Sequence, residues 1–493
     1  MVFSSLIHTL QSSSLIKNLS QQLKVKNELR LQGINRLSKG LISSVISQTN
    51  YQNLLVICAT SEEAGRWTKQ LEIMGWKDIN FYFVPDTSPY EELNIENEII
   101  WTQMQVLSNL FRAKQSKDTN FAIVTTERSL QPHLPSPSIF YDYCLNFKVG
   151  VTVYSKDFAQ TLSELGYKKV NLVEKEGEWS RRGDILDIFP VSSEIPIRLE
   201  WLGDELEKIR EFDISTQRSL NEIEEALLTP INFNIIAKDI IQKNPFSSEQ
   251  YVVEEKSKTL KNSSPKDQLP LSKSASLFDY LPSDTLCAFD EIDQCKSHNH
   301  KWLEYVEKSW HETQNKEPKV HRSFEESFSS IEEMPKLYLS ELSDVNEIDS
   351  IDILSRSIPV NPHQFSKLAE ILRGKREIFN EINISKYSIW LISAQPSRTV
   401  TLLQEHDYSA QFIPNIRDYP AIKKSHAQGM AVALKHSGLV GLEGFILPIF
   451  RIVVITDKEF FVQSTLGSSE FFKKRRRSNA KKVNLQKLSY IFH

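Results

Sequence analysis

Short apolar runs that alternate with amphipathic stretches constrain the first part of this chain more than any other sequence feature. The run Asn53–Ala59 (NLLVICA) has the length of a buried strand, and Ala64, Trp67 and Leu71 follow it at helical spacing. A second apolar run, Phe121–Thr125, comes after a further amphipathic stretch. Strand, helix and strand in this order indicate a parallel sheet with helices packed on it, so the chain is predicted to begin with an α/β domain.

Changes in composition along the 493 residues predict several domains, because the chain is too long for one ordinary core. The proline-rich stretch 131–138 ends the first part, and the Ser-, Lys- and Pro-rich stretch 254–276 is predicted to be a linker. Strand candidates at 388–393 and 451–456 indicate a last α/β region. The predicted parts are residues 1–130, a small α+β domain at 131–215, residues 216–345, a small α/β domain at 351–472, and a basic tail at 473–493.

Composition and short segments exclude several classes of protein. A net charge of -4 with 40% hydrophobic residues is typical of a globular chain, and the longest apolar runs are far shorter than the roughly 20 residues of a membrane helix. Residues 1–16 lack the basic start and continuous apolar core of a signal peptide. The four cysteines form no regular framework. We therefore expect a cytoplasmic protein with no membrane span.

Metal and nucleotide motifs are incomplete. Cys287 and Cys295 precede two histidines without a C-x2-C knuckle, so no metal site is expected. The stretch LQGINRLSKGLISS has glycines, but Lys39-Gly40 is in reversed order for a P-loop, and Gly374-Lys375 is followed by arginine. Asp290-Glu291 after an apolar strand resembles a Walker B pair that lacks a phosphate cradle. We expect this chain to be no enzyme by itself and to hold no cofactor, with an ATPase site as the alternative.

One long ordered stretch carries a resemblance to a known family. Gly166–Pro190 reads GYKKVNLVEKEGEWSRRGDILDIFP, and PIRLEW, Gly203-Asp204-Glu205 and IREFDISTQRS follow it. This string resembles the domain shared by the excision-repair protein UvrB and the bacterial transcription-repair coupling factors (Mfd). Weaker similarities at Pro85-Asp86, Pro89-Tyr90 and residues 444–460 favour the Mfd family. The missing P-loop and the lack of a tyrosine-rich hairpin, which UvrB uses to clamp DNA, favour it as well.

The resemblance implies the fold class and the domain arrangement. It implies an α/β multidomain protein whose UvrB-like degenerate NTPase-type sheet domain is discontinuous, formed by residues 1–130 and 216–345. The small α+β domain at 131–215 would be inserted in it, and the further small α/β domain would follow.

The resemblance also implies a partner and a role, namely recruitment of UvrA in transcription-coupled nucleotide excision repair. The family's contact positions match Lys168, where arginine is usual, Arg182 and Phe189. Taken alone, Arg182 is better explained as a solvated strand charge and Phe189 as a core aromatic, but the surrounding motif reverses this preference. A protruding Phe189 would then add apolar area at the centre of the contact. In the family, ATP, magnesium and RNA polymerase are bound by further domains, which we expect this chain to lack.

Two other functions stay open on the sequence alone. The first is an ATP-dependent DNA translocase or helicase, the activity of the full-length family. The second is weak DNA binding through the basic tail, whose charges could equally belong to a solvated linker. The candidate tail residues are Lys473, Lys474, Arg475, Arg476 and Arg477.

Overall fold

The computed structural model describes most of the chain outside its C-terminal part. The described residues are 3–50, 53–76, 78–84, 97–115, 120–152, 158–236, 274–313, 322–329, 331–343, 349–358, 365–373, 387–436 and 443–460. The basic tail, Pro85–Tyr90, Gly374-Lys375 and all but the end of the predicted linker lie outside these residues. At that end, Ser274–Ala275 form a short strand paired with Leu134–Pro135, so the linker prediction is wrong there.

Helices and strands alternate through the first and last parts of the chain, while strands dominate the middle. The helices are α1 (Ser4–Gln11), α2 (Ser14–Lys26), α3 (Arg36–Asn50), α4 (Ser61–Ile73), α5 (Asn97–Gln115), α6 (Pro137–Asp142), α7 (Phe158–Glu164), α8 (Ile292–Thr313), α9 (Phe324–Ser329), α10 (Phe365–Leu372), α11 (Pro396–Gln404), α12 (Tyr419–Ala427) and α13 (Asp457–Phe460). The strands are β1 (Glu28–Gln32), β2 (Leu54–Cys58), β3 (Asp78–Tyr82), β4 (Phe121–Thr126), β5 (Leu134–Pro135), β6 (Leu145–Lys148), β7 (Lys168–Lys169), β8 (Glu178–Arg182), β9 (Ile185–Ile188), β10 (Ile197–Leu202), β11 (Glu205–Phe212), β12 (Ser219–Ile223), β13 (Glu225–Leu228), β14 (Ser274–Ala275), β15 (Leu286–Asp290), β16 (Lys336–Leu339), β17 (Ser350–Asp352), β18 (Arg356–Ser357), β19 (Ser388–Ser393), β20 (Ala410–Phe412), β21 (Ala431–Lys435), β22 (Phe445–Leu447) and β23 (Ile452–Thr456).

A parallel sheet forms the first domain, and it draws strands from two separate stretches of the chain. Its order is β17-β1-β16-β15-β2-β4-β3. Every residue of β2, β4 and β15 is buried, because helices or other domains cover both faces at the centre of the sheet. Strand β17 pairs with β1, so residues 350–352 belong to this sheet, although 351 was the predicted start of the last domain.

The two faces of this sheet pack against different neighbours. Along β2, Leu54 and Val56 share a core with helices α1 to α4, whereas Leu55 and Ile57 share another with α5 and the middle of the chain. Helix α4 confirms the predicted spacing, since its Ala64, Trp67 and Leu71 are all buried. It begins after Thr60, whose hydroxyl accepts the Glu63 N–H at 3.3 Å.

The middle of the chain forms a second sheet, called the insert sheet below, with the order β12-β11-β10-β9-β8-β7. Its neighbours are antiparallel except for β7 and β8. Helix α7 precedes the sheet. The sheet continues to Ile223, beyond the predicted domain limit at 215, because β12 closes it against β11.

The last described part holds a third sheet with the order β18-β22-β23-β19-β21-β20. Strand β19 spans the predicted Ser388–Ser393. One face, which includes Trp390, Val432 and Val454, shares its core with helices α1 to α3 of the first domain. Helix α3 is consequently buried on nearly all sides, including Ser43, Ser44 and Ser47 at 0% exposure. The mixed α/β architecture agrees with the predicted fold class.

Candidate functional site

The insert sheet has one face in the protein core and one outer face that is polar. Trp179, Leu186, Ile188 and Leu199 point into the core, where the alternation of side chains along each strand places them. The register puts Arg182 opposite Ile185, Ile185 opposite Glu200, and Glu200 opposite Lys208. Residues paired in this way point to the same side of a sheet. They form one row across the outer face.

Lys168 and Arg182, two of the predicted contact residues, both lie on the outer face. Lys168 is exposed on the edge strand β7 and pairs with Glu178 of β8. Glu178, Ser180 and Arg182 occupy alternate positions of β8 and therefore point to the same side of the sheet. Arg182 is exposed and donates from Nη2 to the Asn171 carbonyl at 3.0 Å. Neither side chain contacts a carboxylate within the described part of the chain. Both cations are therefore available to an acidic partner.

The turn after Arg182 depends on a glycine. Gly183 has φ +62°, in the left-handed region, and a Cβ added to it would meet nothing within 4 Å. The backbone conformation, not lack of space, is what requires glycine here. This turn joins β8 to β9 and holds Arg182 at the end of the hairpin.

Phe189, the third predicted contact residue, is buried, and the expectation that its ring protrudes is wrong. It is 4% exposed and packs with Val173 and Phe212 in a small separate cluster. The segment 170–176 covers it from outside: Val170 donates its N–H to the Trp179 carbonyl at 2.9 Å, and the Glu178 carboxylate accepts two further N–H groups of this segment at 3.0 Å. Sequence alone does not show that this segment folds back over the sheet.

Exposed aliphatic side chains near the same face were missed by the sequence analysis. Ile185 is 40% exposed in the row with Arg182, and Leu202 at the end of β10 is 72% exposed. The Trp201 N–H donates to the Asp184 carbonyl at 3.0 Å, which brings the end of β10 beside the β8–β9 turn. Strict alternation could have found Ile185, because Leu186 and Ile188 occupy the inward positions of β9.

Ion pairs fix the rest of the outer face. Arg198 makes two hydrogen bonds to Asp187, from Nε at 2.6 Å and from Nη2 at 2.9 Å, and these bonds raise the pKa of Arg198. Arg210 bridges Glu200 at 3.3 Å and Glu222 at 2.8 Å. These charges are neutralised within the sheet, which distinguishes them from Lys168 and Arg182.

A second polar cluster lies at the carboxyl edge of the first sheet, where Asp290-Glu291 follow β15. Lys39 Nζ lies 2.6 Å from Asp290 Oδ1 and 2.6 Å from Glu291 Oε1, and its side chain is 2% exposed. Trp67 Nε1 donates to the other Asp290 oxygen at 2.7 Å. Burial alone would lower the pKa of Lys39, but the charges of Asp290 and Glu291 outweigh it and raise that pKa.

Two further features of the described residues concern metal binding and membrane crossing. No group of three or more His, Cys, Asp or Glu side chains is placed to hold a metal ion in the described ranges. Among these same residues, no helix combines the length and the apolar character that a membrane crossing requires.

Comparison with family models defines the class to which this architecture corresponds. Residues 145–233 match the model described as UvrB interaction domain. Residues 357–462 match the model described as the Rossmann-like domain of cyanobacterial Mfd. The insert sheet thus lies in the part of the chain that matches a UvrB interaction domain, and nearly all of the third sheet lies in the part that matches a Rossmann-like domain of cyanobacterial Mfd.

Curated relatives extend the similarity over nearly the whole chain. The chain is 30% identical to the transcription-repair-coupling factor of Haemophilus influenzae over 52% of this chain and 23% of that protein. It is 24% identical to that of Staphylococcus aureus over 98% of this chain and 41% of the relative. For the Bacillus subtilis factor the figures are 24%, 97% and 42%. The predicted resemblance to Mfd is confirmed, and the chain spans less than half the length of these relatives.

Proposed function

We propose that this chain recruits UvrA in transcription-coupled nucleotide excision repair, through the outer face of the insert sheet. The observation that carries the proposal is the match of residues 145–233 to a UvrB interaction domain whose outer face presents two cations without carboxylate partners. The relatives named transcription-repair-coupling factors support the repair context.

The contact we propose combines charge with apolar area. Arg182 presents a planar fork suited to two hydrogen bonds with one carboxylate, and Lys168 adds a second positive charge on the same face. Ile185 and Leu202 supply the exposed apolar surface that was expected from Phe189. Phe189 then acts from beneath, by holding the segment 170–176 in place.

Binding of purified UvrA to charge-reversal variants tests this proposal. We expect Arg182→Glu to weaken binding about thirtyfold, since hot-spot contacts cost roughly 2 kcal/mol or more when they are lost. Lys148→Glu is the matched control, because Lys148 is an exposed cation of the same domain on β6, outside the insert sheet. Equal affinity of folded Arg182→Glu and Lys148→Glu would remove the outer face from the contact.

We further propose that residues 1–493 do not hydrolyse ATP, and that translocation and RNA polymerase binding belong to other parts of the family's longer proteins. Support comes from Lys39, which is paired with both carboxylates of the Walker B-like pair. The alternative, an ATP-dependent translocase, requires those carboxylates to hold magnesium. Calorimetry decides between them: saturable micromolar ATP-magnesium binding that Asp290→Ala abolishes would establish the alternative.

A further inference from the structure

The spacing between Gly33 and Lys39 matches that between the first glycine and the lysine of a P-loop. Gly33 directly follows β1, and Lys39 stands six residues later in the first turns of α3. This is the separation of the first glycine and the lysine in G-x-x-x-x-G-K. Ser38 stands where the second glycine belongs, and Gly40 stands where the motif has Ser or Thr. The lysine therefore stands at the position of a P-loop lysine, while the phosphate-wrapping residues around it differ from the motif.

The Lys39 side chain contacts carboxylates of the protein, whereas the lysine of a phosphate-binding site contacts the phosphate of its ligand. In a nucleotide site the lysine contacts phosphate, and the acidic pair contacts the metal ion. Here the ammonium group lies between the two carboxylates, at 2.6 Å from an oxygen of each. Glu291 Oε1 also accepts the Glu341 N–H at 2.6 Å, so the acidic pair is enclosed by donors.

We propose that Lys39 is a tethered cation that takes the place of a metal ion against Asp290 and Glu291, so that the repulsion between the two carboxylates is offset without any ligand. The lysine joins α3 to the end of β15 as a bound metal ion would join its ligands. A nucleotide could enter only if Lys39 left both carboxylates, which would leave the buried Asp290 and the half-buried Glu291 without a compensating charge.

Removal of the lysine charge supplies the test. Lys39→Met keeps most of the side-chain length and leaves the carboxylates of Asp290 and Glu291 without the ammonium group that pairs with them. Oxygen ligands of this kind favour Mn²⁺ and Mg²⁺. We expect Lys39→Met to melt at a lower temperature than the wild type, and we expect millimolar Mn²⁺ to raise the melting temperature of Lys39→Met but not that of the wild type.

A triple variant is the matched control. Lys39→Met/Asp290→Asn/Glu291→Gln keeps the shape of the cluster without its charges. We expect this variant to regain part of the lost stability, and we expect Mn²⁺ to leave its melting temperature unchanged. A lower melting temperature of Lys39→Met without a response to Mn²⁺ would make Lys39 an ordinary structural ion pair and overturn the proposal. So would Mn²⁺ stabilisation of the wild type.

Poor folding of Lys39→Met would not leave the question open. In that case the variant is refolded with Mn²⁺ or with an equal ionic strength of NaCl. Recovery of soluble protein with the circular dichroism spectrum of the wild type in Mn²⁺ alone supports the proposal, and an equal result in both buffers contradicts it. The insert sheet is not altered in these variants, so their outcome is separate from that of the UvrA experiment.

Discussion

Replacement of Phe189 by alanine should act on the outer face from within, by loosening the segment 170–176. The ring is 4% exposed, so nearly all of its surface is removed from water by Val173, Phe212 and their neighbours. A buried aromatic side chain covers roughly 150 Å² or more, which at about 25 cal/mol per Å² corresponds to about 4 kcal/mol. Measured Phe→Ala changes in protein cores, about 3–5 kcal/mol, agree with this figure.

Hydrogen exchange locates the effect. The amides of Val170, Glu174 and Lys175 are hydrogen-bonded to β8 in the closed segment. If opening of the segment becomes about 3 kcal/mol easier, exchange of these amides should be accelerated roughly a hundredfold. Amides of β10, which pair on both sides within the sheet, should change less.

Phe189→Leu is the control for the ring itself, because it keeps an apolar side chain in the cluster. We expect Phe189→Leu to retain most of the exchange protection and of the UvrA binding. The reasoning would be refuted if Phe189→Ala kept wild-type protection in the segment 170–176 and still lost UvrA binding. That result would make Phe189 a direct contact residue.

The remaining predictions concern charge, thiols and the tail. Arg198→Ala should cost about 3 kcal/mol in thermal or urea unfolding, because it leaves the Asp187 carboxylate, 11% exposed, without its partner; Arg198→Ala/Asp187→Ala should recover part of that loss. Cys58, Cys287 and Cys295 are buried, and burial raises the pKa of Cys287 to about 12, so a thiol reagent at pH 8 should label these three only after unfolding. Deletion of residues 473–493 should remove most DNA affinity, which before deletion should fall with salt at a log-log slope of about -0.9 per phosphate contact; undiminished binding after deletion would contradict this.

Local patterns predicted the elements of the fold well where one physical rule dominates. The apolar run at 53–59 gave β2, and the spacing of Ala64, Trp67 and Leu71 gave α4. The burial of these residues follows from the periodicity of one element. By contrast, the limit of the insert sheet at Ile223 depends on the pairing of β12 with β11, a contact between strands that no local pattern specifies.

The sequence motif named candidate contact residues but could not predict their surroundings. The match to the family motif identified Lys168 and Arg182, and the register places both on one face. The burial of Phe189 depends on a segment that precedes it by more than ten residues and folds back over it. The pairing of Lys39 with Asp290 joins residues 251 positions apart in the chain. The incomplete P-loop and Walker B patterns argued against a nucleotide site but did not predict this ion pair.

Helix α3 is packed between two sheets, and this restricts how its sequence can change during evolution. Trp76 donates from Nε1 to Ser44 Oγ at 3.0 Å, and Ser38 Oγ lies 2.9 Å from Ser355 Oγ. A Cβ added to Gly40 would approach Gln70 Oε1 to 2.9 Å. A larger residue at such positions must be accommodated by elements on opposite sides of the helix at once. We therefore expect substitutions in α3 to be accompanied by compensating changes in both halves of the chain. Homologous chimaeras joined between residues 352 and 388 should lose stability, because α3 then packs against a third sheet from another parent.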